Sequence, residues 1–351
     1  MIHLLIGKPS TGMEKRMQIL RARGISLCFL IWVMWSSGCA TQPVSTTPAT
    51  PQFHRSKDYI LYRAGPGDTT ASLAQRFLGD AELAWMIDDA NDAQPFRPDG
   101  YVVIPLKIRN RGGVFDNGVQ QVPILCYHRF GNHCDSPLCV PEELFERQMR
   151  YLKENGYRTI SPDDLLGFLE YRSPLPLKSV MITVDDGYSS FYTVAYPILK
   201  KYGFTATLFI YTNFVGVSSK ALSWNQLREL RAQGFTIGSH TIAHSDLSKK
   251  GDNESEEAYM QRLWYEIGDS KKILDGKLNQ NTTFFAYPFG RLNSSAIHIA
   301  QRAGYKLAAT VQRGGNPFFS DQFALQRDQV LKRDMVTFVS HLKIFQPLSL
   351  R

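Results

Sequence analysis

Residues 179–190, SVMITVDDGYSS, restrict the possible folds of this 351-residue chain more than any other stretch. An apolar and β-branched run leads directly into two adjacent carboxylates, Asp185 and Asp186, and then into Gly187. The pattern predicts a buried strand that presents both carboxylates at its C-terminal end, with the glycine allowing the turn. Because neighbouring carboxylates repel each other, we expect a metal cation to make the pair tolerable.

Strand-like and helix-like segments alternate along residues 119–345 with short connections. Residues 122–128 predict the first strand, residues 204–211 predict another strand after the Asp-Asp segment, and residues 254–274 predict a long helix. This alternation predicts an α/β fold with a distorted parallel (β/α) barrel. In such folds the functional side chains gather at the C-terminal ends of the strands.

The sequence SHTIAH supplies candidate ligands for the expected cation. It places His240 and His244 four residues apart directly after a predicted strand. Two imidazoles and one carboxylate form a ligand set that suits zinc and leaves a position open for water, and cobalt or nickel can occupy such a site as well. The pair of histidines is weak evidence by itself, but its combination with the Asp-Asp strand predicts a metal site.

The N-terminal segment has the properties of an export signal. Basic residues precede an apolar run of about 11 residues, which is short for a membrane span, and the sequence SSGCA follows. Small residues before Cys39 resemble a bacterial lipoprotein processing site, which implies a leader over residues 1–38 and lipidation of Cys39. The alternative is an uncleaved anchor helix. Residue Ala40 favours the outer membrane, facing the periplasm, and the polar residues 39–57 predict a flexible tether.

Charge and cysteine content agree with export. About half of the net charge of +8 lies in the leader, and no basic-aromatic pattern typical of nucleic-acid binding occurs in the chain. Cys134 and Cys139 flank the sequence DSPL, a span that a disulfide could close in an oxidising compartment. Free thiols at these two positions are the alternative.

Residues 58–107 predict a small β-α-α-β module. A strand-like segment, a GPGD turn, two helical segments, Asn91 and a closing YVVIP strand follow one another. This order resembles a LysM domain, which implies binding of chains that contain N-acetylglucosamine, peptidoglycan first. The resemblance places the ligand near residues 67–70 and 91–95. A module that has kept the fold and lost sugar binding is the alternative, and residues 108–118 predict a linker.

The larger domain resembles the polysaccharide deacetylases, which are also known as carbohydrate esterase family 4 or the NodB homology domain. The resemblance rests on TVDDG at residues 183–187, SHTIAH and FAYPFG. It implies that Asp185 is the general base and that Asp186, His240 and His244 are the metal ligands.

The third motif departs from the family pattern. The resemblance implies that Tyr287, Pro288 and Phe289 contribute a groove wall and a backbone N–H to a substrate and oxyanion site. However, Ala286 stands where the family has an arginine that orients the base. Arg291 and Arg327 are the two candidates to replace it.

The general acid also departs from the common pattern, since the late Leu-x-His motif of the family has no clear counterpart. The sequence LCYH instead ends the first predicted strand with His128. This resembles the exported poly-N-acetylglucosamine deacetylase branch, in which an early Tyr-His supplies the acid. We therefore expect His128 in this role, with His133 as the weaker candidate and His341 as a surface residue.

These observations predict a metal-dependent N-deacetylase that acts on an N-acetylglucosamine-containing polysaccharide, either peptidoglycan or an exopolysaccharide, at the cell envelope. A lipid anchor would provide the contact with the membrane. Two alternatives stay open at this point. One is a non-catalytic wall-binding lipoprotein with a deacetylase-like fold, and the other is an O-deacetylase that uses the same metal site.

Overall fold

The computed structural model describes residues 53–92, 96–97, 99–107, 110–132, 134–331 and 334–348. The predicted leader, Cys39, most of the predicted tether, residues 93–95 of the expected sugar site and His133 lie outside these residues. Within the described part of the chain, every helix is too short or too polar to cross a bilayer.

The N-terminal module is a three-stranded antiparallel sheet packed against two helices. Its elements are β1 (Phe53–Arg55), β2 (Tyr59–Arg63), α1 (Thr70–Leu78), α2 (Ala84–Ala90) and β3 (Tyr101–Pro105). Thr69 and Ser72 form a capping box that begins α1. The side chain of Asn91 bonds to the backbone of Ile87 and Val103 at 2.6–3.0 Å, so this residue ties α2 to the closing strand.

Two segments differ from the predicted tether and linker. Residues Phe53–Arg55, expected in the tether, pair with β2 as an edge strand. Residues 114–120, which overlap the expected linker, form a hairpin that pairs with a strand from the C-terminal end of the chain. The first segment is short and pairs across a turn, and the second is rich in glycine and pairs with a strand far away in sequence. Local composition therefore did not indicate that either segment is a strand.

Strands and helices alternate through the larger domain, as the sequence predicts. Its strands are β4 (Val114–Phe115), β5 (Gly118–Gln120), β6 (Val122–Tyr127), β7 (Arg129–Gly131), β8 (Cys139–Pro141), β9 (Arg158–Thr159), β10 (Ser179–Val184), β11 (Thr207–Ile210), β12 (Thr236–Ser239), β13 (Phe284–Ala286), β14 (Leu307–Ala309), β15 (Gly315–Asn316), β16 (Asp328–Gln329) and β17 (Phe345–Pro347). Its α-helices are α3 (Glu142–Glu154), α4 (Pro162–Leu169), α5 (Tyr196–Tyr202), α6 (Trp224–Ala232), α7 (Glu256–Leu263), α8 (Ser270–Leu278), α9 (Ser294–Arg302) and α10 (Met335–Ser340).

The main sheet is curled into a distorted barrel. Strands β14, β13, β12, β11, β10 and β6 are neighbours in that order and run parallel, and β16 joins parallel to β6. Just before β16, Leu325 bridges to Ala309 at the end of β14. The segment from Leu325 to Gln329 therefore lies between the two edges of the sheet. The predicted α/β fold class is confirmed, with the short antiparallel β15 making the sheet mixed.

The helix predicted over residues 254–274 is present with an internal change of geometry. Helix α7 passes through a π-helical turn at Trp264–Asp269 and continues as α8 to Leu278. The buried faces of α7 and the π turn pack through Tyr259, Leu263 and Ile267 against β13 and α9. The π turn faces the loop that follows β12.

Candidate active site

Three parallel strands of the main sheet bring the predicted site residues to one end of the barrel. Strand β10 ends directly before Asp185 and Asp186, β12 ends before His240, and β6 ends before His128. Because all three strands are parallel, their C-terminal ends lie at the same edge. The backbone of Asp186 has a φ of 75°, and Gly187 follows at 87°, so the chain turns sharply and separates the two carboxylates.

Asp186, His240 and His244 form a group with the spacing of metal ligands. One ligand atom from each lies within 4.8 Å of the others. Oδ1 of Asp186 is 3.8 Å from Nε2 of His240 and 3.4 Å from Nε2 of His244. This oxygen is buried and has no hydrogen-bond partner among the described residues. A buried carboxylate oxygen left unsatisfied in this way fits a cation site.

The protonation states of this group also suit a cation. Burial lowers the pKa of His240 to about 3 and lowers the pKa of His244, so both imidazoles are neutral at neutral pH. Nδ1 of His240 donates to the carbonyl oxygen of Ala286 at 2.7 Å, which leaves Nε2 directed toward the other ligands. Burial, together with the charge of Asp185, raises the pKa of Asp186 to about 6. The two nitrogens and one oxygen therefore fit zinc and related divalent metals.

Arg327 is the arginine that orients Asp185. Nη1 and Nη2 of Arg327 donate to the two carboxylate oxygens of Asp185 at 2.7 and 2.8 Å. Nη1 also donates to the Thr183 hydroxyl at 3.1 Å, and Nε donates to the Thr310 carbonyl at 2.7 Å. The other candidate, Arg291, bonds to Asp246 on the surface. The guanidinium that is missing at position 286 therefore comes from the segment that lies between β14 and β6.

The environment of Asp185 favours its ionised form. Burial alone would raise the pKa of this carboxylate, but the charge of Arg327 and its hydrogen bonds outweigh burial, so the pKa lies well below its usual range. The thiol of Cys126 lies 3.5 Å from the second carboxylate oxygen and donates to it. Cys126 was not singled out from the sequence, although its place two residues before His128 on the same strand is the signal that could have indicated it.

His128 lies beside this carboxylate and is largely buried. One of its ring nitrogens is within 4.8 Å of both an oxygen of Asp185 and the Cys126 sulfur. A metal in this second group would face the guanidinium of Arg327, so the group around Asp186 is the better candidate for a cation site. The prediction that His341 lies on the surface is wrong. This residue is 8% exposed, and its Nδ1 lies 3.0 Å from a carboxylate oxygen of Asp328.

In the FAYPFG segment, Phe289 places an exposed side chain beside the candidate metal ligands, in the cleft at this end of the barrel. Phe289 is 55% exposed, and its ring centroid lies 4.7 Å from that of His244. The resemblance places Tyr287 and Pro288 in the substrate and oxyanion site together with Phe289, and the side chains of Tyr287 and Pro288 are buried. The hydroxyl of Tyr287 donates to the Phe323 carbonyl at 3.1 Å, inside the core. Consecutive residues at this turn point in different directions, and the motif alone does not reveal which of them faces the cleft.

Aromatic side chains lie beside His244, and a disulfide closes a loop that follows His128 in the chain. The ring of Tyr211 lies 5.4 Å from that of His244 and stacks on Phe214. Cys134 and Cys139 are joined in a disulfide, as the spacing allowed. This bond closes the loop between β7 and β8, which follows His128 in the chain.

Known proteins are similar to this chain in sequence and in fold. A family model described as Polysaccharide deacetylase matches residues 172–308. The protein YxkH of Bacillus subtilis (strain 168), which is named as a polysaccharide deacetylase, is 35% identical over 210 residues that cover 60% of this chain and 71% of that protein. The solved structure of the Streptococcus pyogenes deacetylase PplD in complex with acetate matches with a TM-score of 0.57 and 32% identity, covering 64% of this chain and 98% of that one.

A further relative carries a more specific name. The poly-beta-1,6-N-acetyl-D-glucosamine N-deacetylase of Staphylococcus aureus (strain MRSA252) is 28% identical over 178 residues, which cover 49% of this chain and 61% of that protein. The match thus spans somewhat less than two thirds of this relative. Together with the identity to YxkH and PplD and with the geometry of the site, these findings show that the chain belongs to the polysaccharide deacetylase family.

Proposed function

We propose that this protein is a metal-dependent N-deacetylase that acts on a polymer of N-acetylglucosamine and releases acetate. The proposal rests on one observation: a carboxylate base and a candidate cation site lie next to each other at the end of β10. Asp185 is held ionised by Arg327, and its neighbour Asp186 belongs to a group with the ligand set of zinc. A base and a cation site adjacent to each other are what hydrolysis of an acetamide requires.

Asp186, His240 and His244 would hold the metal. Zinc, when bound, polarises the acetamide carbonyl and lowers the pKa of a water molecule. The residues of this chain do the rest. Asp185 accepts the proton of the attacking water, and the charge of Arg327 keeps this carboxylate ready to do so. The backbone N–H of Phe289 helps to bind the developing oxyanion.

The leaving amine needs a proton, and His128 is the group we assign to supply it. Its ring lies beside Asp185 at the same end of the barrel, within reach of a substrate held over the cation site. The products are acetate and a free amino sugar. The aromatic rings of Tyr211 and Phe289 flank His244 and would line the sugar path.

The family names and the N-terminal module favour different polymers. The S. aureus relative is named for poly-β-1,6-N-acetylglucosamine, whereas the LysM-like order of β2, α1, α2 and β3 favours peptidoglycan. We propose the β-1,6-linked exopolysaccharide as the substrate and a contact with N-acetylglucosamine chains as the role of the module. Side-by-side measurement of acetate release by the zinc-loaded protein from the two polymers tests this choice. Faster release from peptidoglycan would reverse the choice, and no release from either would contradict N-deacetylation.

The alternatives make distinct predictions. A non-catalytic adaptor would be favoured if no arginine oriented Asp185, but Arg327 contacts both carboxylate oxygens of Asp185. The O-deacetylase is separated from the N-deacetylase by its products. An N-deacetylase generates one free amine for each acetate, and an O-deacetylase generates none.

We further propose that the protein is exported and anchored through a lipid on Cys39, in the outer membrane and facing the periplasm. The sequence of residues 13–40 supports this proposal, and so does the disulfide between Cys134 and Cys139, since disulfides persist in oxidising compartments. Metabolic labelling with a radioactive fatty acid tests it. The wild-type protein should incorporate label and fractionate with membranes, and the variant Cys39→Ala should do neither.

A further inference from the structure

The loop that joins the two metal-ligating histidines has an unusual backbone. His240 directly follows β12, and His244 comes four residues later, but the intervening residues are not helical. Thr241 has a φ of 74° and His244 has a φ of 60°. These are left-handed conformations that non-glycine residues rarely adopt, and Thr241 is β-branched. Surrounding contacts must therefore hold this loop in place.

The carbonyl side of the loop is held by a short 3₁₀ turn after β11. The backbone N–H groups of Thr212 and Asn213 donate to the carbonyls of Thr241 and Ile242 at 3.1 and 2.9 Å. Inside the loop, the N–H of His244 donates to the Thr241 hydroxyl at 2.9 Å. These bonds fix one side of the loop and leave the N–H groups of Ile242 and Ala243 directed elsewhere.

The amide side is held by one buried carboxylate, Glu266. Its Oε2 accepts the N–H groups of Ile242 and Ala243, both at 2.9 Å. Its Oε1 accepts the Ser245 hydroxyl at 2.7 Å. Glu266 is 3% exposed, and in the described part of the chain no lysine or arginine nitrogen lies within 4.0 Å of its carboxylate. Its negative charge is thus satisfied by three donors of the ligand loop.

The position of Glu266 is set by the π turn between α7 and α8. Within the same helical region, the Ser270 hydroxyl bonds to that of Ser239 at 2.8 Å, at the end of β12. The Tyr305 hydroxyl donates to the carbonyl of Ile267 at 3.1 Å. The π turn is therefore fixed to the same strand that delivers His240. Single π turns inside helices are frequent at functional sites.

We infer that Glu266 is a positioning residue, which fixes the His240–His244 loop so that both imidazoles meet the metal in one geometry. It touches neither the cation group nor the cleft, and it acts through backbone N–H groups. This inference rests on the proposed metal-dependent function. A residue that hydrogen-bonds behind metal ligands typically contributes 10- to 100-fold to metal affinity. Glu266 bonds to Ile242 and Ala243 between the two histidines and to Ser245 directly after His244.

The test measures zinc affinity by competition with a chromophoric chelator, together with amide exchange of residues 240–246 in the metal-free protein. Glu266→Ala is expected to weaken zinc binding by about 10- to 100-fold. Glu266→Gln keeps an oxygen acceptor without the charge. We therefore expect a smaller loss of zinc affinity than in Glu266→Ala, together with faster amide exchange in the loop. Glu257→Gln, the same substitution at an exposed position of α7, is the matched control. It should change neither the zinc affinity nor the amide exchange of the loop.

The outcomes separate this inference from the proposed function. If Glu266→Ala does not fold, Glu266→Gln and Ser245→Ala test the role of Glu266 in its place. Each of these variants weakens the contacts between Glu266 and the loop while changing fewer atoms. Zinc affinity and loop exchange equal to those of Glu257→Gln in the folded variants would overturn the role of Glu266. A wild-type protein that binds no zinc would instead contradict the metal-dependent function, and the exchange measurement would still report whether Glu266 holds the loop. Recovery of kcat at saturating zinc in Glu266→Gln is the result expected of a positioning residue.

Discussion

Replacing Arg327 with methionine should destabilise the protein and impair catalysis for one electrostatic reason. The side chains of Arg327 and Asp185 are 0% and 3% exposed, and the variant leaves the carboxylate buried without its cation. Removing one partner of a buried ion pair typically costs about 3–5 kcal/mol. The apolar methionine fills a similar volume, so the loss should come mainly from the unpaired charge and from the lost bonds to Thr183 and Thr310.

The same change should alter the pH dependence of activity. In the wild type the pKa of Asp185 is depressed, so the ion pair stabilises the fold above the ordinary carboxylate pKa of about 3.9, and this contribution is lost as pH falls further. Without Arg327, burial can raise the carboxylate pKa by roughly 3–5 units. The raised pKa would leave a smaller fraction of Asp185 ionised at pH 7. We therefore expect kcat/KM to fall by up to about 100-fold at pH 7 and to recover at alkaline pH.

A double-mutant cycle tests this reasoning. Urea unfolding at pH 7 should show that Arg327→Met together with Asp185→Asn is more stable than either single variant, because neither charge is then left unpaired. Arg291→Met is the matched control. Arg291 pairs with Asp246 at the surface, where a pair contributes about 0–1 kcal/mol. The reasoning is refuted if Arg327→Met costs no more than Arg291→Met, or if its cost is unchanged in the Asp185→Asn background.

Three other predictions follow from the site and its surroundings. His128→Ala should lower kcat by about 10²- to 10⁴-fold while zinc content stays at the wild-type level, and an unchanged kcat would exclude this residue as the acid. Burial raises the pKa of Asp186 to about 6, so a proton competes with zinc for this carboxylate at lower pH. The zinc affinity, measured by competition with a chelator, should therefore fall about tenfold for each pH unit below 6. A zinc affinity that does not change between pH 6 and pH 5 would contradict this prediction. The variant Cys134→Ser, which lacks the bond between Cys134 and Cys139, should have a free energy of unfolding about 2 kcal/mol lower than the wild type, because the bond closes a short loop. Equal stability of the variant and the wild type in urea would contradict a stabilising role of this disulfide.

The parts of the site that follow from local sequence could be predicted. Asp185 and Asp186 follow a strand whose apolar pattern is visible, and His240 and His244 lie four residues apart after another strand. Because parallel strands end at one edge of the barrel, these residues could be expected to meet. The alternation of strands and helices likewise predicted the α/β fold.

The parts that depend on distant contacts could not be predicted. Arg327 and Asp185 are 142 residues apart, and they meet because β16 pairs with β6 and turns the arginine into the barrel. No local signal distinguishes Arg327 from Arg291, which lies nearer to the third motif. The burial of His341 against Asp328 depends on the same strand, since alternate residues of β16 face opposite sides.

Glu266 and the hairpin at residues 114–120 illustrate the same limit. A lone glutamate in a helical segment reads as a solvated side chain, and the π turn directs Glu266 at the ligand loop. The hairpin pairs with β17, more than 200 residues later, so its glycine-rich sequence indicated a linker. In both cases the tertiary partner determines the structure and local propensity does not.

Zinc titration of the metal-free full-length protein, with acetate release from poly-β-1,6-N-acetylglucosamine as the readout, tests the central claim most directly. The account predicts that activity rises in proportion to added zinc and reaches its maximum at about one equivalent, as the three-ligand group requires. It also predicts that Asp185→Asn binds zinc equally well and releases little acetate. Absence of acetate at every zinc concentration, or full activity in Asp185→Asn, would contradict the account.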